Sequence, residues 1–285
     1  MLARGPALVL EARAAGRAVP AFTIYTLESI RAVCDAAERT GLPVILQAGS
    51  SSYRETSRSM LAAAALAAAR DASVPIGVHL DHSTDLKEIR DCLALGYTSV
   101  MVDGSHLPFA ENVALTRAVV AQAQDAGVWV EAELGALAGD EDASTAVAAG
   151  ELTDPAQAAE FVDRTGVDVL AAAVGTVHGL TTSPVHVDLE RLGMIAKLTG
   201  VPQALHGASG LSNADLTAAV NAGIAKVNIN AELRRAYLST LAAELPSVGD
   251  DVRVLQRKVI TAMAEVAAEK LTVLGGHAAE RRDDR

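Results

Sequence analysis

The sequence predicts an α/β chain folded as a single (β/α)8 TIM barrel with one extra C-terminal helix. Three observations predict it. Short apolar runs alternate with amphipathic segments along all 285 residues. No strand-rich block interrupts the alternation. The helical patterns tend to close on Gly or Asn, as at Arg39-Thr40-Gly41, Leu95-Gly96 and Thr165-Gly166. No linker or charge block marks a second domain, so residues 1–285 read as one unit. A doubly wound open sheet is the alternative.

In chain order, strands are expected at Val19–Ile24, Pro43–Ala48, Pro75–Leu80, Ser99–Asp103, Val128–Glu133, Val167–Ala172, Val201–His206 and Ala225–Asn228. Most are short runs of Val, Ile, Leu and Ala, as suits strands covered on both faces. Helical patterns fall between them at Leu27–Arg39, Arg54–Arg70, Asp85–Leu95, Phe109–Ala126, Asp154–Arg164, Leu189–Leu198, Asn213–Asn221 and Ala231–Glu244. The Ala-rich stretch from Met60 to Ala69 reads as helix because Ala has the strongest helical propensity. Two segments depart from the repeat. Residues 135–150 (GALAGDEDASTAVAAG) are small, acidic and Gly-rich, and read as a mobile loop on the catalytic face or as a long surface loop. Residues 249–271 form one more amphipathic helix, with Arg253, Arg257 and Lys258 near its start. It covers the barrel or packs on a neighbour.

Half of the residues are hydrophobic but only 3% are aromatic, so the core is built from Ala, Val, Leu and Ile. A net charge of −11 and a pI near 5.1 argue against nucleic acid or an anionic membrane as partner. An anionic ligand must then be held by local groups. Cys34 and Cys92 lack metal-type spacing and read as thiols of a reduced, cytoplasmic protein. The apolar run Ala7–Leu10 is too short for a signal-peptide core, and no run is long enough to span a membrane.

His82 and His178 fall past an expected strand, and His206 lies at the end of one. In a closed parallel barrel all carboxyl ends open on one face, so residues distant in sequence converge there. Three imidazoles with an open fourth position make a catalytic zinc site; the plainer reading is three unrelated loop histidines. Asp81 beside His82 is an acid/base candidate, or else an orienting group or helix cap. The two can share a site only if the strand ends there and the chain turns. Glu131 and Glu133 share one strand face, where a carboxylate needs a metal or a partner. Glu133 reaches the metal, holds a ligand histidine, or makes a structural ion pair. Asp103 touches metal or substrate, or makes a turn. Gly179, Gly207, Ser209 and Gly210 follow two of the histidines, and Lys226-Val227-Asn228-Ile229-Asn230 ends the last strand. Backbone N–H groups there suit a phosphate. His79, His186 and His277 carry no functional expectation.

Six ordered motifs resemble the signatures of the class II, zinc-dependent ketose-bisphosphate aldolases. They are Leu80-Asp81-His82, Asp103-Gly104-Ser105-His106, Glu131-Ala132-Glu133-Leu134-Gly135, Gly175-Thr176-Val177-His178-Gly179, His206-Gly207-Ala208-Ser209-Gly210 and Lys226-Val227-Asn228-Ile229-Asn230. The resemblance runs from about Ala21 to Leu271. It implies reversible cleavage of a fructose- or tagatose-type ketose 1,6-bisphosphate to dihydroxyacetone phosphate and glyceraldehyde 3-phosphate, through an enediolate stabilised by zinc as Lewis acid.

The same resemblance implies His82, His178 and His206 as ligands of one zinc ion per subunit, with a monovalent cation as a further cofactor. It implies Asp81 as the acid/base at the cleaved bond and Glu141 as the loop group serving the triose carbon. Gly179, Gly207, Ser209, Asn228 and Asn230 match the triose-phosphate pocket. Asp103 and Glu133 match an alternate or transient metal position. Arg253 matches an arginine that reaches a neighbour's site in a homodimer or homotetramer. The departures are Thr23 for a usual Asn, Ser83 for a second His, Ala231 for a phosphate-binding Thr, and Thr181-Thr182-Ser183 for a segment with Tyr and Lys. They weaken the grip on phosphate and leave open another phosphorylated ketose, with one phosphate or two. A non-catalytic sugar-phosphate-binding protein and a zinc hydrolase are the competing classes.

Overall fold

The computed structural model describes residues 1–135, 151–178 and 186–276. Helix α1 (Ala7–Ala14) precedes strand β1 (Val19–Thr23) and α2 (Leu27–Thr40). Then follow β2 (Val44–Gly49), α3 (Ser50–Glu55), α4 (Arg58–Asp71), β3 (Ile76–Ser83), α5 (Leu86–Leu95), β4 (Ser99–Val102) and α6 (Phe109–Asp125). The chain continues through β5 (Trp129–Leu134), α7 (Pro155–Thr165), β6 (Val169–Ala172), α8 (Leu189–Thr199), β7 (Gln203–Leu205), α9 (Asn213–Asn221) and β8 (Ile224–Ile229). It ends in α10 (Ala231–Val248) and α11 (Val252–Gly275). The strands pair in parallel in sequence order, and β8 pairs back onto β1 with Val19 opposite Lys226. The sheet is therefore a closed barrel and not an open one.

Several helices start on side-chain caps that the sequence carries. Thr26 and Ser29 form a capping box on α2, Ser212 and Asp215 form one on α9, and Asp154 caps α7 ahead of Pro155. Three expectations need correction. The single helix expected over Arg54–Arg70 is two, because the chain is extended at Thr56. Helix α10 runs past the expected stop at Glu244 and holds Pro246 in its last turn, where little of the helix remains to be disrupted. Helix α1 was not anticipated. Its Leu8, Val9 and Ala12 pack with Val19, Ala21, Ile45, Trp129, Val169, Ala171 and Ala204, closing the amino end of the barrel. The apolar run at Ala7–Leu10 is thus a plug.

Alternate strand residues face the barrel axis. The others, such as Phe22, Leu46, Leu80, Val130, Leu170 and Val227, form the layer beneath the helices. Each large side chain buried there stabilises the fold by about 1.5–3 kcal/mol. Along the interior, polarity changes with height. The apolar residues over α1 give way, higher in the barrel, to His79, Glu131 and Lys226, on β3, β5 and β8 and all without exposure. Beyond them come Thr23, Gln47, Asp81, Glu133 and Asn228, also buried. The gradient aims the polar side chains at the carboxyl ends of the strands. Helix α11 packs on α2 and α10, with Met263, Ala264 and Leu271 buried. Among the described residues, no helix is long and apolar enough to cross a membrane.

Candidate metal centre

The placement of Asp81 and His82 has a local cause that differs from the expected one. Strand β3 does not end at Leu80; it continues to Ser83. Its register with β4 slips between Leu80 and Ser83, and His82 takes a φ of 39°. A bulge re-aims a side chain without ending the strand, so neighbours that would face opposite sides both serve the interior. A positive φ at a non-glycine residue costs about 1–3 kcal/mol. Two sets of contacts hold it. The His82 Nδ1–H donates to Asp103 Oδ2 at 2.8 Å. The next residue, Ser83, donates to Glu88 Oε2 at 2.7 Å, and Glu88 in turn receives Ser50 at 2.5 Å and Arg58 at 2.7 Å.

His82, Glu133, His178 and His206 come together with one donor atom from each within 4.8 Å of the others. His82 Nε2 and His206 Nδ1 lie 2.8 Å apart. The far nitrogen of each ring is engaged by a carboxylate: Asp103 on His82, and Glu131 Oε1 on His206 Nε2 at 2.7 Å. Those partners fix ring orientation and tautomer, leaving the facing nitrogens for a cation. Burial, reinforced by the neighbouring His82 and His206, lowers the His178 pKa to about 3. Burial likewise lowers that of His206, against the opposing pull of Glu131. Both rings are therefore neutral, the form that binds metal. Neutral imidazoles with a carboxylate suit zinc, so the residues present fit that ion.

Asp81 is held from two sides. Gln47 Nε2 donates to its Oδ2 at 2.9 Å, and Asn228 Nδ2 donates to its Oδ1 at 3.1 Å. Gln47 also donates to Thr23 Oγ1 at 3.2 Å, so Thr23 supports this arm. Burial opposes ionisation of Asp81, but nearby positive charge, that of His82 when protonated and that of Lys226, outweighs it and the net shift is downward. Glu131, resisted by burial but favoured by Lys226 and His206, is also shifted down. Lys226 Nζ lies 2.9 Å from Glu131 Oε2 and donates to Asn228 Oδ1 at 2.7 Å. Asp103, disfavoured by burial but bonded by His82 and Ser105, stays a carboxylate.

The remaining expected residues are less concentrated. Ser209 Oγ donates to Glu232 Oε2 at 3.1 Å and the Gly210 N–H to Glu232 Oε1 at 3.3 Å, so a carboxylate already sits on donors expected for phosphate. Gly207 has a positive φ and packs so closely that a Cβ would collide with the Val177 carbonyl. That is a packing reason for glycine there. Asn230 Oδ1 accepts from Tyr25 Oη at 3.1 Å. Arg253 is exposed and bonded to Asp251 at the start of α11; in its own chain it is not in the histidine cluster. Glu141, Gly179, Thr181, Thr182 and Ser183 lie outside the described residues. Gln47 and the cross-links made by Glu131 and Lys226 escaped the sequence reading. A polar side chain at an inward position of a buried strand was their available signal. A cavity of about 390 Å³ lies beside Thr23, lined also by Tyr25, Ser51, Glu55, Leu233 and Tyr237.

The family model of class II fructose-bisphosphate aldolases matches residues 4–278. The chain is similar to the YdjI aldolase of Escherichia coli K12, at 35% identity and a TM-score of 0.88 over 96% of this chain and 98% of that one. It is similar to a protein assigned as a fructose-1,6-bisphosphate aldolase of Coccidioides immitis, at 34% identity and a TM-score of 0.85 over 95% and 96%. The fructose-bisphosphate aldolase of Campylobacter jejuni shares the fold, at 24% identity and a TM-score of 0.80 over 96% and 95%.

Proposed function

The chain belongs to the class II fructose-bisphosphate aldolase family of carbon–carbon lyases, and from that premise we propose that it cleaves a ketose 1,6-bisphosphate of the fructose or tagatose type. The products are dihydroxyacetone phosphate and glyceraldehyde 3-phosphate, and the reaction is reversible. The observation that carries the reading is the convergence of His82, His178 and His206 on one point, with Asp81 anchored by Gln47 and Asn228 inside the same barrel. Those histidines would hold a zinc ion, which when bound would supply a Lewis acid for the ketone oxygen.

The chain's own groups carry the proton transfers. Asp81, kept anionic, takes the proton of the hydroxyl at the bond that breaks, and returns it in the reverse direction. Glu141 serves the triose carbon. Asp103 and Glu131 orient the ligand rings, and Glu133 stands beside them as the alternate metal contact. Gly179, Gly207, Ser209, Asn228 and Asn230 receive the triose phosphate. For Ser209 this requires that Glu232 yield its hydrogen bond. Arg253, exposed at the head of α11, pairs with the distal phosphate in a neighbouring subunit of a homodimer or homotetramer. A monovalent cation is a further cofactor of this reading. Free Cys34 and Cys92 suit a reducing, cytoplasmic setting.

A second reading keeps the chemistry and changes the ketose. The cavity beside Thr23 is lined by Tyr25, Leu233, Tyr237 and Leu238 as well as Arg234. That lining, which also holds Glu55, suits an aldehyde half less charged than a triose phosphate. The deciding experiment is cleavage of a panel of phosphorylated ketoses by zinc-loaded protein, with both products identified. Turnover of a 1,6-bisphosphate well above a 1-phosphate supports the first reading. The opposite preference supports the second, and no cleavage of any ketose defeats both.

A further inference from the structure

We infer that Lys226 is a positioning residue that ties the metal-binding arm of the site to the acid/base arm. The inference rests on the roles proposed above for the three histidines and Asp81. Lys226 projects from β8 into the barrel and has no solvent exposure. A buried ammonium is costly unless its protons are all directed at acceptors. It has one hydrogen-bond acceptor and one ion-pair partner, each leading to a different part of the site. The acceptor is Asn228 Oδ1 at 2.7 Å, and the ion-pair partner is Glu131 Oε2, 2.9 Å away and outside hydrogen-bond geometry.

The geometry has two consequences. A lysine ammonium only donates, whereas a side-chain amide offers one accepting and one donating end. Lys226 therefore obliges Asn228 to turn its oxygen inward, and the Asn228 Nδ2–H2 group is left facing Asp81 Oδ1 at 3.1 Å. The flipped amide has almost the same shape and would set two oxygens against each other. On the other side, Lys226 engages Oε2 of Glu131, so Oε1 remains for His206 Nε2 at 2.7 Å. One cation thus selects the orientation of two groups on separate strands. One holds a metal ligand, and the other holds the base.

If Lys226 only neutralised Glu131, removing both charges together would restore the site. The test compares Glu131→Gln with the double variants Lys226→Met/Glu131→Gln and Lys226→Gln/Glu131→Gln. Zinc dissociation constants are measured by chelator competition, thermal midpoints are recorded, and kcat and KM are determined at saturating zinc. Glu131→Gln is expected to weaken zinc by about 10–100-fold, the usual effect of removing a ligand's orienting partner. The methionine double variant should show the same zinc loss and a further fall in kcat of about tenfold or more, with KM little changed. The glutamine double variant keeps a donor for Asn228 and should recover part of that kcat; if the methionine variant does not fold, Lys226→Leu/Glu131→Gln replaces it. A kcat in the apolar double variant within twofold of Glu131→Gln overturns the link to Asp81. Zinc affinity within twofold of wild type in all three overturns the link to His206. The zinc constants need no substrate, so they test the inference even if wild-type protein cleaves no ketose, an outcome that defeats only the functional reading.

Discussion

Asp103→Ala tests a residue that the sequence left between metal contact, substrate contact and turn. In the structure its Oδ2 accepts from His82 Nδ1 at 2.8 Å, and its other oxygen accepts from the N–H and Oγ of Ser105. The pair is mostly enclosed, with side-chain exposures of 19% for His82 and 12% for Asp103. A hydrogen bond to a charged group in such a setting contributes about 1.5–3 kcal/mol. The positive φ of His82 costs about 1–3 kcal/mol. The bond and the strain are of one size, so removing the carboxylate lets the bulge relax and the ring turn. Zinc affinity should then fall by about 10–100-fold, or about 1.4–2.7 kcal/mol. Chelator competition on the purified variant reads this directly, with circular dichroism to show that the barrel is intact. A folded variant that binds zinc as tightly as wild type would refute the claim that Asp103 holds His82.

Asp81→Ala should retain zinc and lose cleavage by about 10²–10⁴-fold; near-normal turnover would remove Asp81 from the acid/base role. Arg253→Ala should raise KM for a bisphosphate far more than for a 1-phosphate, whereas equal effects would exclude it from the distal phosphate. Glu88→Ala removes a carboxylate only 6% exposed from Arg58, Ser50 and Ser83. It should cost about 2–3 kcal/mol in urea unfolding, less than the ~3–5 of a fully buried pair because Arg58 is a quarter exposed. His79, wholly buried against Trp129, has its pKa lowered by burial, and by the nearby Lys226 charge, to about 3. The unfolded chain therefore takes up its proton first, and stability falls as pH drops from about 6.5 towards 3. His79→Gln in chelator should flatten that acid limb of the urea midpoint, and an unchanged limb would show that His79 is not its source.

The barrel was legible because its signal is repetitive. Eight apolar runs and their intervening helical patterns agree with one architecture, and small errors at the ends of elements do not alter it. The histidine cluster was legible for the same reason, since His178 and His206 lie at or just past expected strand ends and a closed barrel forces those ends together. What escaped depends on geometry that periodicity does not carry. The bulge at His82 is a register slip of one strand against its neighbour. The plug helix α1 looks, as sequence, like a short apolar run. Glu131 and Glu133 share a strand face, but which of them grips His206 and which joins the cluster depends on where the His206 ring comes to rest. Gln47 and Lys226 are single polar residues in apolar strands, and their partners lie on β1, β3, β5 and β8.

The central claim is that His82, His178 and His206 hold the metal on which carbon–carbon cleavage depends. It is tested most directly by following zinc content and ketose-phosphate cleavage together, as chelator is added and zinc is then restored. The account predicts one ion per chain, activity that disappears with the ion and returns with it, and neither binding nor turnover in His206→Ala. Full cleavage by metal-free protein, or a lysine adduct trapped by borohydride, would contradict it.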